Sequence, residues 1–373
     1  MQDGFGVGEA AIKVAIVHDW LVTEGGAEKV LHQLLHLFPD ADIFSLVDFL
    51  DEERRAKVLF GKRARTSFIQ HLPLAKTHFR HYLPLFPKAI ESLDLESYDL
   101  ILSSSWAFAK GVRKEPYQKH LCYCHTPIRY AWDMMEEYTA ALSWPKRSMV
   151  RYVLKKIRQW DRDTSQRVDR FVANSTFVAK RIARYYGRQS EVIHPPVEVE
   201  KFGFWPKKEE FYLTLSRLVP YKKTRIIVEA FNKMPDKRLI VIGDGEELHT
   251  LQKIAKSNVA IMGYRPDEVV VEYMQKAKAF VYAALEDFGI VMAEALCCGT
   301  PVIAYKEGGA KDIVQEGCGV LFDTQTPQAI IEAVERFEAT AFDHKNIAGI
   351  ARLRFDPARF RSAIAQAVEE LHG

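Results

Sequence analysis

Two glutamates eight positions apart, Glu286 and Glu294, flank a Phe288-Gly289 pair within A-A-L-E-D-F-G-I-V-M-A-E-A-L-C-C-G-T-P-V-I-A-Y. A carboxylate is an acceptor-only group that grips adjacent hydroxyls well, so the chemistry such a pair serves is the holding of sugar rings. The preceding run Ala279-Phe280-Val281-Tyr282 reads as a buried strand, and a helix is expected from about Ile290. The loop Glu286-Asp287-Phe288-Gly289 then falls at a strand's carboxyl end, where open α/β sheets bind ligands. Helical geometry sets Glu294 about one turn inside the helix, so both carboxylates can face one cavity. The N–H groups of Phe288, Gly289 and Ile290, backed by the helix dipole, favour an anion such as a diphosphate. The alternative is plain helix capping by Glu286 and a solvated Glu294, because carboxylates near a helix start are stabilising in any case.

Other residues have matching chemistry. Arg217 and Lys222 leave the apolar run Phe211–Leu215 in one loop, Ser216-Arg217-Leu218-Val219-Pro220-Tyr221-Lys222. Two cations there can neutralise the charge that grows on a departing diphosphate. His125 ends the run His120–Cys124 and opens His125-Thr126-Pro127-Ile128-Arg129-Tyr130-Ala131-Trp132-Asp133; a lone histidine is otherwise a satisfied structural group. Gly25 and Gly26, in Glu24-Gly25-Gly26-Ala27-Glu28, lie between a strand and an apolar helix and form either a phosphate cradle or an ordinary tight turn. Gly243-Asp244-Gly245-Glu246 and Gly263-Tyr264-Arg265-Pro266 are further strand-end turns. No D-x-D run stands at a strand end in a context that would hold a catalytic divalent ion, so neither a catalytic metal nor a cofactor is expected.

Glu-x7-Glu with its Phe-Gly and the following A-L-C-C-G-T-P-V-I resembles the signature of the retaining, GT-B fold, "group 1" (family 4) glycosyltransferases. Cys297-Cys298 is a small departure from the more usual Ala-Cys. R-L-V-P-Y-K is similar to the family's diphosphate-binding R-L-x-x-x-K, with Lys222 rather than Lys223 at the fitting spacing. H-T-P-x-R-Y-A-W-D resembles the mannosyltransferase-like branch. The resemblance implies that Glu286 meets the transferred hexose, Glu294 the ribose, and that His125 lies beside the hexose. It further implies Gly25 and Gly26 against the diphosphate and acceptor, Gly243 at the nucleotide end, and Gly263 and Tyr264 by the base. The implied reaction is hexosyl transfer with retention, the leaving phosphate taking the acceptor's proton. The implied donor is GDP-mannose and the acceptor a lipid-linked glycan (glycolipid) or polysaccharide. The rivals are a UDP-sugar donor and a nucleotide-sugar-binding protein without catalysis; intact Glu286, Glu294, Arg217 and Lys222 speak against the latter.

The elements that must position these residues alternate between apolar strands and helices, which predicts an α/β chain of two Rossmann-like domains facing across a cleft. Strands are expected at Ile12–Val17, Ile43–Val47, Leu100–Ser103, His120–Cys124 and Phe171–Asn174 in the first half. The second half restarts with Phe211–Leu215, Leu239–Gly243, Val259–Gly263, Ala279–Tyr282, Val302–Ala304 and Gly319–Phe322. Its 373 residues fit two domains, an acceptor domain 1–197 and a donor domain 198–355, with a helix in 356–373 returning to the first. The segment Glu198–Glu210 after Pro195-Pro196 reads as a linker. A formal charge of +3 is too small to argue nucleic acid. The five cysteines sit in apolar contexts and read as free thiols, and Cys122-x-Cys124 lacks the second pair of a zinc site. The opening ten residues are unlike a signal peptide, and a cytoplasmic protein is expected. Residues 61–89 mix cations with apolar groups and no acid, a composition suited to the face of an anionic membrane; 145–170 reads rather as a solvated helix face.

Overall fold

The computed structural model describes residues 12–140 and 142–372. The opening ten residues lie outside them. The chain divides into two compact units, one holding residues up to Asn174, Val178–Pro195 and the chain end from Arg361, the other Ser175–Phe177 and Pro196–Phe360.

The first unit is built on a parallel sheet of β1 (Val14–His18), β2 (Asp42–Ser45), β3 (Arg65–Thr66), β4 (Leu100–Ser105), β5 (Lys119–Cys124), β6 (Arg170–Ala173) and β7 (Ser190–Val192), in the order β3-β2-β1-β4-β5-β6-β7. Continuous apolar runs form its centre because a parallel sheet is covered on both faces; every residue of β1 and β4 is buried. The strand order reverses between β1 and β4, whose register sets His18 beside Ser104. The second unit repeats the plan with β8 (Glu209–Leu215), β9 (Leu239–Ile242), β10 (Val259–Gly263), β11 (Ala277–Tyr282), β12 (Val302–Tyr305) and β13 (Gly319–Phe322), in the order β10-β9-β8-β11-β12-β13. Its reversal lies between β8 and β11. These reversals are where sheets of this kind open a crevice at the strands' carboxyl ends.

Several sequence readings need correction. β3 and β7 are short, polar strands that carry no apolar run to announce them. The expected linker is a packed segment: Val197, Val199 and Phe202 join the second core, and Glu209 and Glu210 already belong to β8. In the first basic stretch Arg63 pairs with Glu52 at 2.6 Å and Arg65 with Asp42 at 3.3 Å, both on the surface, while Lys76, Arg80 and Lys88 are exposed. The five cysteines are buried and unbridged, Cys122 and Cys124 on one face of β5 against Val168, Phe171 and Val178. No helix among the described residues is long and apolar enough to cross a membrane.

Charged groups at the centre of the first unit hold its connections in place. The Asp19 carboxylate, fully buried after β1, accepts N–H bonds from Trp106, Ala107, Phe108 and Ala109 at 2.5–2.8 Å. Desolvation pushes its carboxyl up, and the N–H groups of Trp106 and Ala109 pull it back down. Deeper still, Asp161 on the helix Trp144–Thr164 pairs with buried Lys110 and accepts from Trp132 Nε1 at 2.7 Å and Tyr186 Oη at 2.8 Å. Removing one partner of such a pair strands the other charge away from water. Asp161→Ala is therefore expected to destabilise this unit by about 3–5 kcal/mol, read as a lower urea midpoint. A midpoint equal to wild type would show that Lys110 finds solvent without Asp161.

Candidate functional site

In the second unit the loop leaving β8 and the loop leaving β11 meet through side chains. Lys222 Nζ forms an ion pair with Glu286, and Tyr282 Oη donates to the same carboxylate at 3.1 Å. Both ion-pair partners are largely shielded, with side chains 17% and 18% exposed, so their attraction is less screened than on the surface. Burial first, and then the Glu286 charge, holds the Tyr282 phenol well above its ordinary value, which keeps it a neutral donor. Lys222 closes a single turn, Pro220–Lys222, and Lys223 follows at φ +58°, a left-handed conformation costly for a residue with a side chain. That reversal starts the helix Thr224–Phe231 and leaves Lys222, not Lys223, on Glu286.

The Arg217 guanidinium bonds the Tyr221 hydroxyl, with its centre 5.8 Å from the ring centroid. Its loop is clamped by the turn after β9. Leu218 N donates to Asp244 O at 2.8 Å and Glu247 N to Leu218 O at 3.0 Å. Gly243 sits at φ +140°, and a Cβ there would lie 1.8 Å from Ser216 O, so this glycine permits the approach that sets Arg217. Gly263 ends β10 and its carbonyl accepts from Gly243 N at 3.0 Å; Tyr264 beside it is 71% exposed.

Gly289, at φ +86°, turns the chain into the helix Ile290–Cys297. Phe288 is buried and meets Phe355 edge-on at 5.9 Å, so its side chain is core; Asp287 and Ile290 are half-buried. Glu294 lies on the helix's fifth residue and is only 8% exposed, which rules out the solvated alternative. Sequence reasoning missed Gly308-Gly309. Gly309 N donates to Glu286 O at 2.9 Å, and a Cβ on Gly309 would stand 2.2 Å from Phe288 O. The adjacent glycines after the β12 run were the available signal; their contact, some twenty residues earlier in the chain, was not.

In the first unit, His125 directly follows β5, with its Nε2 2.9 Å from Ser104 Oγ, which in turn lies 3.1 Å from His18 Nδ1. Desolvation, with a smaller contribution from nearby His18, lowers the His125 imidazole to about 3, so it is neutral at physiological pH. Trp106 stands edge-on to both rings, at 4.8 Å from His18 and 5.9 Å from His125. Gly25 is the N-cap of the helix Gly26–Leu37 and offers no side-chain cap; a Cβ on it would lie 3.1 Å from Glu28 Oε2. Besides any cradle role, Gly25 makes room for the Glu28 carboxylate.

Residues 24–201 match the family model "Glycosyltransferase Family 4" and residues 198–353 the model "Glycosyl transferases group 1". Two Rossmann-like units define the class of fold, and the chain belongs to the group 1 (family 4) glycosyltransferases. Among curated relatives, a GDP-mannose-dependent alpha-(1-6)-phosphatidylinositol monomannoside mannosyltransferase of Mycolicibacterium smegmatis is 29% identical over 43% of this chain and 50% of its own. A D-inositol 3-phosphate glycosyltransferase of Streptomyces bingchenggensis is 29% identical over 46% of this chain and 45% of its own. The chain thus spans about half the length of the curated relatives it matches. Of solved structures, Anabaena HepE in complex with UDP covers 96% of this chain and 100% of its own, with a TM-score of 0.71 at 20% identity. Sucrose-phosphate synthase from Thermosynechococcus elongatus covers 96% of this chain and 99% of its own, with a TM-score of 0.70 at 18% identity. The fold is accordingly GT-B.

The glycine contact makes a test. Gly309→Ala is expected to cost about 1–3 kcal/mol through overpacking against Phe288. Gly349→Ala, on an exposed helix position with open space around its Cβ, should instead gain roughly 0.4–1 kcal/mol. Thermal unfolding of the two variants compares them directly, and equal melting temperatures would remove the close approach as a constraint.

Proposed function

We propose that this protein is a retaining glycosyltransferase that moves a hexose, mannose from GDP-mannose, onto a lipid-linked or polysaccharide acceptor without a metal or cofactor. The observation that carries the reading is the Lys222–Glu286–Tyr282 cluster at the reversal point of the second sheet. The donor is supported by the relatives named for GDP-mannose in Mycolicibacterium smegmatis and Corynebacterium glutamicum.

The cluster can perform an exchange. Lys222 and Glu286 neutralise one another; a diphosphate competes for the ammonium and releases the carboxylate to accept from sugar hydroxyls. As the anomeric carbon–oxygen bond breaks, its electron pair goes to the diphosphate, where Lys222 and Arg217 meet the growing charge. The acceptor oxygen bonds the same carbon on the face of departure, and its proton passes to the leaving phosphate oxygen. Glu286 holds hydroxyls of the hexose around the oxocarbenium-like centre, Glu294 takes the ribose, and neutral His125 of the first unit accepts from a sugar hydroxyl. Tyr264, exposed beside Gly263, offers a ring to the base.

We extend the reading to contact with an anionic membrane, on residues 61–89, where Leu74, Leu85, Lys76, Arg80 and Lys88 are exposed, and on the helix Trp144–Thr164. Its outer side exposes Trp144 (82%), Met149 (63%) and Tyr152 (62%) beside exposed Lys146, Lys155 and Lys156. Apolar groups there can enter the headgroup layer while the ammonium groups meet lipid phosphates.

Lys222→Ala and Glu286→Ala are each expected to lower transfer by about 100–1,000-fold while the melting temperature stays near wild type. Thermal-shift screening against GDP-, UDP- and ADP-sugars, followed by product analysis, identifies the donor; a UDP-sugar alone stabilising the protein would replace GDP-mannose. Trp144→Ala combined with Lys155→Glu and Lys156→Glu should reduce co-sedimentation with phosphatidylglycerol vesicles. Unchanged sedimentation would end the membrane proposal for that helix.

A further inference from the structure

At the carboxyl ends of β1 and β4, Glu28, His18, Ser104 and His125 form one chain of polar side chains. His18 and Glu28 are buried, and His18 Nε2 lies 3.5 Å from the Glu28 carboxylate with no hydrogen bond of its own. His18 Nδ1 lies 3.1 Å from Ser104 Oγ, and that oxygen lies 2.9 Å from His125 Nε2. The rings are fixed from the side by Trp106, and His125 also by Tyr123, whose centroid is 5.1 Å away edge-on. Nδ1 of His125 makes no hydrogen bond among the described residues, and the residue is half-buried.

One hydroxyl proton decides the direction of the whole chain. Ser104 can donate to one imidazole only and accepts from the other. The Glu28 carboxylate accepts and never donates, so it favours the His18 proton on Nε2 and leaves the lone pair on Nδ1. Ser104 then donates to His18 Nδ1, its oxygen accepts from Nε2–H of His125, and the His125 Nδ1 lone pair is left over. We infer that Glu28, His18 and Ser104 are positioning residues that lock His125 into the tautomer whose Nδ1 accepts a hydrogen bond, so that it accepts one from a hydroxyl of the sugar or acceptor without removing the proton. Its use on a hydroxyl rests on the glycosyl-transfer reading; the tautomer does not.

The arrangement suits a centre that becomes positive. A neutral acceptor at His125 leaves electron density on the hydroxyl it binds, whereas an N–H or imidazolium there would oppose an oxocarbenium-like carbon. Gly25 belongs to the same device, because a side chain on it would press on Glu28 Oε2.

Nitrogen NMR on 15N-histidine protein reads the tautomer directly, the His125 signals among twelve histidines being assigned by their loss in His125→Gln. In wild type at neutral pH, Nδ1 is expected at a pyridine-type shift and Nε2 at a pyrrole-type shift. In Ser104→Ala both signals should move towards averaged values as the tautomers mix, and the near-isosteric Glu28→Gln should move them the same way. A pyrrole-type Nδ1 in wild type, or His125 signals unmoved in both folded variants, overturns the inference. Ser104→Ala should also lower kcat about tenfold, the loss of roughly one hydrogen bond, with KM for the nucleotide sugar little changed. A mixed tautomer with unchanged kcat would overturn the use on a hydroxyl. Should wild type transfer no sugar at all, the glycosyl-transfer reading fails while the NMR result still decides the tautomer.

Discussion

A carboxylate withdrawn from water must be met by donors, and this requirement shapes the strand ends of both units. Asp19 meets it with the N–H groups of four successive residues and so ties the exit of β1 to the turn leaving β4. Asp161 meets it with an ammonium, an indole and a phenol drawn from different connections. Glu286 meets it with Lys222 and Tyr282. The first two serve the architecture, since their donors are buried with them. Glu286 differs because its cation sits at a sheet's reversal point on a loop that neighbouring glycines hold in place.

Glycine plays the complementary part. Where two loops must touch backbone to backbone, a Cβ is the obstacle, and Gly243 and Gly309 remove it at the loops bearing Arg217 and Glu286. The loops that carry Arg217 and Glu286 are thus set by main-chain contact, and the side chains of Lys222 and Glu286 then join them. In the first unit aromatic edges do this work, with Trp106 against two imidazoles.

The strands were legible where burial on both faces forces an unbroken apolar run, as in Leu239–Ile242 and Leu100–Ser105. They were not legible in Arg65–Thr66 or Ser190–Val192, short edge strands whose pairing asks little of composition. The turn at Glu286–Gly289 could be read because strand, glycine and helix follow one another locally, whereas Lys222 was singled out by the family resemblance. The partners of Asp19 and of Glu286's main chain could not, because they lie 87 or more and 23 residues away along the chain. The acids that meet Arg63 and Arg65 likewise come from elsewhere in the fold. The resemblance to R-L-x-x-x-K favoured Lys222 over Lys223, and in the fold the left-handed turn at Lys223 leaves Lys222 on Glu286.

The buried cysteines have a practical outcome. Desolvation, the leading influence on each, raises the thiols of Cys124, Cys297 and Cys318, and pushes Cys298 up to about 12, which leaves little of the reactive anion. Together with the enclosure of all five, this makes the folded chain slow towards maleimides and iodoacetamides. A single cysteine placed on an outer loop of either unit can then carry a fluorophore or spin label against a quiet background, without first replacing the native sulfurs.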